Sequence, residues 1–85
     1  MRVALLTGAS PLRSAGGPDV RLQAGGWRID VEGLIDSELE LCVNSFTEPT
    51  AIKCGFLELE RHADVSIGFR HRGSEAHISV YATRV

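Results

Sequence analysis

The stretch WRIDVE at residues 27–32 alternates apolar and charged side chains with a period of two. A similar alternation returns in ELELCV at residues 38–43, in VSIGF at residues 65–69 and in AHISV at residues 76–80. Because successive side chains of a β-strand point to opposite faces, each stretch has one apolar and one polar face. No window carries the apolar period of an amphipathic helix. The pattern therefore predicts a small antiparallel all-β domain, a β-sandwich or a β-barrel, with a single core.

Length and composition limit the possible classes of function. A chain of 85 residues forms one domain, and its net charge of −2 does not supply the basic surface of a general nucleic-acid-binding protein. The apolar run from Val3 to Leu6 is shorter than that of a secretory signal, and no stretch is long enough to span a membrane. Cys42 and Cys54 lack the spacing of metal ligands, and we expect them to be reduced thiols of a protein made in a cytoplasm. No nucleic-acid or membrane partner is expected.

The first 18 residues differ in composition from the rest of the chain. Glycine, proline and serine interrupt this segment after Leu6, so it lacks the pattern of a core strand. We predict that residues 1–18 form an extended N-terminal arm, in which Leu5 and Leu6 contact a neighbouring chain. Residues 19–85 then form the single β domain.

The last two alternating stretches predict a β-hairpin. Its strands are residues 63–71 and 74–83, with Ile67 opposite Ile78 and a two-residue turn at Arg72-Gly73. The same register places an arginine opposite a glutamate on the polar face, which favours the pairing.

A second pairing concerns the first two alternating stretches. A register with Ile29 opposite Leu41 keeps the apolar faces together, but it also places Asp30 opposite Glu40. Like charges in that position destabilise a hairpin. Either these strands are not neighbours, or their acidic face binds a cationic partner, which arginines of another copy of the chain could supply. The candidate partner-binding residues are Leu5, Leu6, Asp30, Glu32, Glu38, Glu40, Arg70 and Arg72.

Two further expectations concern individual elements. Residues 51–54 and 56–60 are predicted to be short strands separated by a bulge at Gly55. Trp27 has the same parity as Ile29, and we expect it in the core.

The residue pattern does not support catalysis. Carboxylates that alternate along strands lie on an open face, whereas acid–base catalysis requires one to be desolvated in a cleft. The predicted register brings at most two potential ligands close together, such as His62 and Asp64, fewer than the roughly three or four ligands of a metal site. The opening VALLTGAS at residues 3–10 is similar to that of a short-chain dehydrogenase, but Leu12 and Ser14 stand where the phosphate-binding turn needs glycine. We therefore predict a non-enzymatic protein with no catalytic, cofactor-binding or metal-binding residues.

Three short stretches of the chain resemble small virion structural proteins of tailed bacteriophages. They are residues 5–10, residues 25–33, which begin with Gly-Gly-Trp, and residues 79–85, which end a strand with Tyr-Ala-Thr. The middle of the chain departs from the resemblance, because it is rich in glutamate and leucine where similar proteins are rich in glycine and threonine.

The resemblance implies a self-associating component of the virion that is made in the host cytoplasm and binds phage capsid or tail proteins. Its most specific form is a capsid decoration or cement protein that stabilises contacts between shell subunits. One alternative is a tail- or fibre-associated structural protein. Another is a small soluble β binding module, such as an inhibitor or an oligonucleotide-binding barrel.

Overall fold

The computed structural model describes residues 1–9, 17–33, 39–70 and 77–85. In these ranges the strands and the helix are β1 (Arg2–Ala9), β2 (Val20–Leu22), β3 (Gly25–Glu32), β4 (Leu39–Val43), β5 (Phe46–Thr47), α1 (Pro49–Cys54), β6 (Phe56–Leu59), β7 (Ala63–Phe69) and β8 (Ile78–Arg84). Sheet 1 has the strand order β1-β8-β3-β6, and sheet 2 has the order β2-β7-β4-β5. The neighbouring strands pair antiparallel, and the two sheets pack face to face. The predicted small antiparallel β-sandwich is confirmed.

The core lies between the sheets and is formed by their inward-facing side chains. Trp27 on β3, Leu41 on β4, Val65 on β7 and Val80 on β8 are each 0% exposed. Trp27, whose core position is confirmed, also donates its indole N–H to the carbonyl oxygen of Gln23 at 2.9 Å. Burial of large apolar side chains such as these contributes about 1.5–3 kcal/mol each to folding.

The predicted hairpin between β7 and β8 is wrong. β7 lies between β2 and β4 in sheet 2, whereas β8 lies between β1 and β3 in sheet 1. Ile67 and Ile78 are both buried, so their inward orientation was predicted correctly, but they reach the core from opposite sheets. Two strands with apolar faces show the same alternation in the sequence whether they pair side by side in one sheet or face each other across the core from two sheets. The predicted turn, with Arg72, falls outside the described residues.

The strands formed by the first two alternating stretches, β3 and β4, do not pair with each other, which confirms one of the two predicted alternatives. β3 pairs with β8 and β6, and β4 pairs with β7 and β5. The predicted single acidic face is therefore wrong, because the two sheets present their polar sides in opposite directions. Asp30 and Glu32 lie on the outer side of sheet 1 and Glu40 lies on the outer side of sheet 2, while Glu38 falls outside the described residues.

The predicted N-terminal arm is also wrong for residues 2–9, which form β1 and pair with β8. Leu5 and Leu6 are 2% and 6% exposed, so they belong to the core of their own domain. A shift in register between Ala4 and Leu6 breaks the alternation of side chains and allows both leucines to face inward. The bulge explains why the segment lacks the sequence pattern of a strand.

Residues 51–54 belong to the helix α1 and not to the predicted strand. Proline at position 49 suits the first turn of a helix, where its missing N–H is not needed. Gly55 ends the helix in the left-handed conformation with φ 71°, and its N–H donates to the carbonyl oxygen of Ala51 at 3.0 Å. The helix buries Ala51 and contacts both β4 and β6, so it closes one side of the sandwich.

Candidate partner-binding surfaces

The outer side of sheet 1 carries two ion pairs within the chain. Arg2 Nη2 lies 3.0 Å from Glu32 Oε1, and Arg28 Nε lies 3.1 Å from Asp30 Oδ2. The guanidinium carbon of Arg2 also lies 3.7 Å from the centroid of the Tyr81 ring, a cation–π contact. The four side chains of the two ion pairs border an open depression of about 480 Å³. Because each predicted partner-binding carboxylate here already has an arginine, the depression lacks the unpaired acidic character expected from the sequence.

The outer side of sheet 2 also carries two ion pairs within the chain. Arg70 Nε lies 3.4 Å from Glu40 Oε1, and Arg21 Nε lies 3.1 Å from Asp64 Oδ1. The hydrogen bond and the charge of Asp64 raise the pKa of Arg21 above its ordinary value. Arg70, a predicted partner-binding residue, is therefore an internal partner of Glu40. Four carboxylates of the two outer faces, those of Asp30, Glu32, Glu40 and Asp64, thus pair with arginines of their own chain.

A groove with a volume of about 290 Å³ lies on the side of the sandwich that α1 closes. We call it the β6 groove. Its lining combines apolar side chains from β4, α1 and β6 with two carboxylates and a hydroxyl. The lining residues are Val43, Glu48, Thr50, Ala51, Phe56, Leu57, Glu58 and Leu59.

Two exposed aromatic rings stand beside this groove. Phe46 is 76% exposed and Phe56 is 41% exposed, and the two residues flank α1 in the chain. Phe56 lines the groove, and Phe46 pairs across the β4–β5 hairpin with Val43, another lining residue. Large apolar side chains that stay in water on a small domain are typical of a partner-binding surface.

The carboxylates that line the β6 groove differ in their ion pairing from the four paired carboxylates described above. Glu48 and Glu58 make no ion pair with any residue that the structure describes. Lys53 is exposed on α1, but it pairs with neither of them. The groove therefore combines apolar surface with negative charge that the described part of the chain leaves uncompensated.

The sequence analysis does not reveal this surface, because it predicts a short strand for residues 51–54, where the structure has the helix α1. One signal was present. Pro49 and Gly55 bracket a helix in the positions that proline and glycine prefer. Locating the helix would have placed the phenylalanines on either side of it at one edge of the sandwich.

The two cysteines are both free thiols in the structure. Cys54 is exposed, and its thiol donates to the carbonyl oxygen of Phe56 at 3.4 Å. Cys42 Sγ lies 3.8 Å from Thr47 Oγ1 on the outer side of sheet 2. The thiols thus lie on different elements and make separate local contacts.

The described residues lack two kinds of feature. They contain no group of three or more histidine, cysteine, aspartate or glutamate side chains placed to hold a metal ion. Within the same ranges, no helix has the length and apolarity needed to cross a membrane. No known protein family, curated protein or solved structure matches this chain.

Proposed function

We propose that this chain is a non-enzymatic structural protein of a tailed-bacteriophage virion, most specifically a capsid decoration or cement protein. The observation that carries the proposal is the pair of exposed phenylalanines at one side of the sandwich. Phe56 lines the β6 groove, and Phe46 pairs with Val43, which also lines it. The resemblance of residues 5–10, 25–33 and 79–85 to small virion proteins suggests which kind of assembly provides the partner.

The mechanism in this proposal is passive. A small sandwich attaches at the seam between shell subunits and removes apolar surface of both partners from water. Full burial of a phenylalanine side chain is worth about 1.5–3 kcal/mol, so the two exposed rings alone offer a few kcal/mol per site. A protein that binds only the assembled shell stabilises that shell by mass action, by about 2.7 kcal/mol when its concentration is 100 times its Kd. Many such sites on one shell act together.

The virion proposal is tested by the composition of purified particles. Particles of the phage that encodes the chain should contain it, and quantitative mass spectrometry should give a copy number comparable to that of the major shell protein. A few copies per particle would support the tail- or fibre-associated alternative. Its absence from particles would contradict the virion proposal.

A variant pair links attachment to the proposed surface. The double variant Phe46→Ser/Phe56→Ser should fold, since both rings are exposed, but it should be lost from particles. Ala4→Ser changes an exposed residue on the opposite edge strand of sheet 1 and should leave occupancy unchanged. Equal occupancy of the double variant and the control would move the contact away from the β6 groove.

A soluble binding module is the second candidate function. The β6 groove favours it, because a small domain with an open strand and an adjacent apolar groove can bind a peptide without any particle. In that case the chain is found free in the lysate and not on particles.

A further inference from the structure

We propose that the β6 groove binds an extended segment of a partner chain in which apolar and basic side chains alternate. The segment adds to β6 as a further antiparallel strand of sheet 1. The inference deepens the proposed function by naming the contact and the chemistry of its ligand. It rests on that function only for the source of the segment, a shell subunit.

The first argument is the backbone of β6, which is an edge strand paired on one side with β3. The Ile29 N–H donates to the carbonyl oxygen of Gly55 at 2.8 Å, and the register continues along β6. In an antiparallel pair, hydrogen-bonded and non-hydrogen-bonded positions alternate. Leu57 therefore directs its backbone groups towards β3, whereas Phe56 and Glu58 direct theirs to the open side.

These outward backbone groups are available to a new strand. Within the described residues, the Phe56 carbonyl oxygen accepts a bond from a thiol, a weak donor. The backbone of Glu58 makes no additional hydrogen bond that is visible in the same ranges. Peptides that add to a sheet edge gain affinity from such main-chain hydrogen bonds and specificity from pockets for alternate side chains.

The second argument is the alternation of surfaces that an added strand would meet. Side chains of the added strand that point inward would lie over the groove, next to Leu57, Leu59 and Ala51. Side chains that point outward lie next to Phe56 and Glu58. The first set must be apolar and the second polar, which is the period of a strand with one buried face.

The third argument is charge. Glu58 on the outward face of β6 and Glu48 at the groove have no cation among the described residues. In this they differ from the paired carboxylates of Asp30, Glu32, Glu40 and Asp64. A basic residue of the ligand supplies that cation. A second copy of β6 carries the same glutamates and opposes like charges, so the charge favours a basic segment over a second copy.

The experiment uses the isolated protein and short synthetic peptides, so it does not depend on the virion. The probe is a capped peptide about as long as β6 in which valine and lysine alternate, and the control replaces each lysine by glutamate. Binding is followed by the backbone amide signals in nuclear magnetic resonance. The valine–lysine peptide should shift the amides of Phe56 and Glu58 and slow their hydrogen exchange, and the glutamate peptide should not.

Methylated peptides test strand addition itself. In an antiparallel pair, residues directly opposite Phe56 and Glu58 form the hydrogen-bonded pairs and point their side chains to the same outward face. These are the lysines of the probe. Methylation of the lysine backbone nitrogens should therefore abolish binding, and methylation of the valine nitrogens should preserve it. Equal binding of the two methylated peptides would overturn the proposal.

A pair of charge-reversed proteins tests the electrostatic part. Glu58→Lys should weaken binding of the valine–lysine peptide about threefold to tenfold, as expected when an exposed attraction becomes a repulsion. Asp19→Lys makes the same charge change at an exposed residue that precedes β2, an edge strand of sheet 2, and should leave the affinity unchanged. An equal loss in both proteins would show long-range attraction only and would overturn the assignment.

The two proposals can fail separately. A protein that binds the peptide at β6 but is absent from particles contradicts the virion function and retains the ligand chemistry. A protein that is abundant on particles but ignores the peptides retains the virion function and contradicts strand addition. In the protein alone, whether or not it self-associates elsewhere, hydrogen exchange should show an open β6. A dimer that protects the Phe56 amide would overturn the proposal in favour of a second copy.

Discussion

Replacing Leu5 by alanine distinguishes a core strand from a partner-binding arm. Leu5 is 2% exposed on β1, so Leu5→Ala removes buried methyl and methine groups from the core. Leucine-to-alanine changes at buried sites cost about 2–5 kcal/mol, depending on how well the site collapses. We take about 3 kcal/mol, since β1 lies at the edge of its sheet, where relaxation is easier. A domain of this size is stable by about 5–15 kcal/mol, so the variant should fold but melt early.

The assay is thermal and urea unfolding followed by circular dichroism. For a domain of this length each kcal/mol lowers Tm by about 4–8 °C, so Leu5→Ala should lower Tm by about 12 °C or more. The matched control Thr7→Ala changes an exposed residue of the same strand and should stay within about 0.5 kcal/mol. Leu5→Ala and Thr7→Ala proteins with the same Tm would refute the placement of β1 in the sandwich and restore the free arm.

Three further outcomes follow from the packing. Gly33→Ala should lower the free energy of unfolding by about 1–3 kcal/mol, since this residue has φ 113° and an added methyl group would clash with the His77 carbonyl oxygen. Denaturant titration measures the loss, and a gain in stability would contradict the prediction. Ile67→Asp should abolish folding, because it puts an unpaired charge at a 1% exposed position, so a cooperative melt would be evidence against that burial. Arg2→Ala should cost no more than about 1 kcal/mol in the same titration, because its pair with Glu32 is exposed; a larger loss would mean that the outer face is structurally essential.

The alternation of side chains was sufficient to predict the class of fold and the inward residues. Trp27, Leu41, Ile67 and Val80 all lie on the predicted apolar faces and are all buried. Strand pairing could not be predicted in the same way. Consecutive strands joined by a short loop either pair as a hairpin or cross the core to the other sheet, and both arrangements place the same apolar faces together. The sequence signal against pairing β3 with β4 is the opposition of like charges, Asp30 to Glu40 and Glu32 to Glu38.

The β6 groove could not be predicted from the sequence because it depends on the helix α1, which the periodicity of apolar residues does not reveal. The helix α1 is six residues long, too short for an apolar period to be visible. Phe56 lies on a short edge strand. The sequence does not show whether its aromatic ring faces inward or outward until it is known which alternate residues of the strand face the core. Phe46 lies in a strand of two residues, which has no detectable alternation. The partner-binding surface is therefore formed by the least periodic part of the domain.

The position of β8 between β1 and β3 has a consequence for biosynthesis. Among the described strands, sheet 1 pairs the first, β1, with the last, β8, so the sheet cannot close until β8 has left the ribosome. Until then the inner faces of β1 and β3, with Leu5 and Trp27, remain in water and open to misassociation. Domains that depend on such distant pairings fold in about milliseconds to seconds. The domain therefore folds only after β8 has been synthesised, and a nascent chain stalled before β8 would present Trp27 to chaperones.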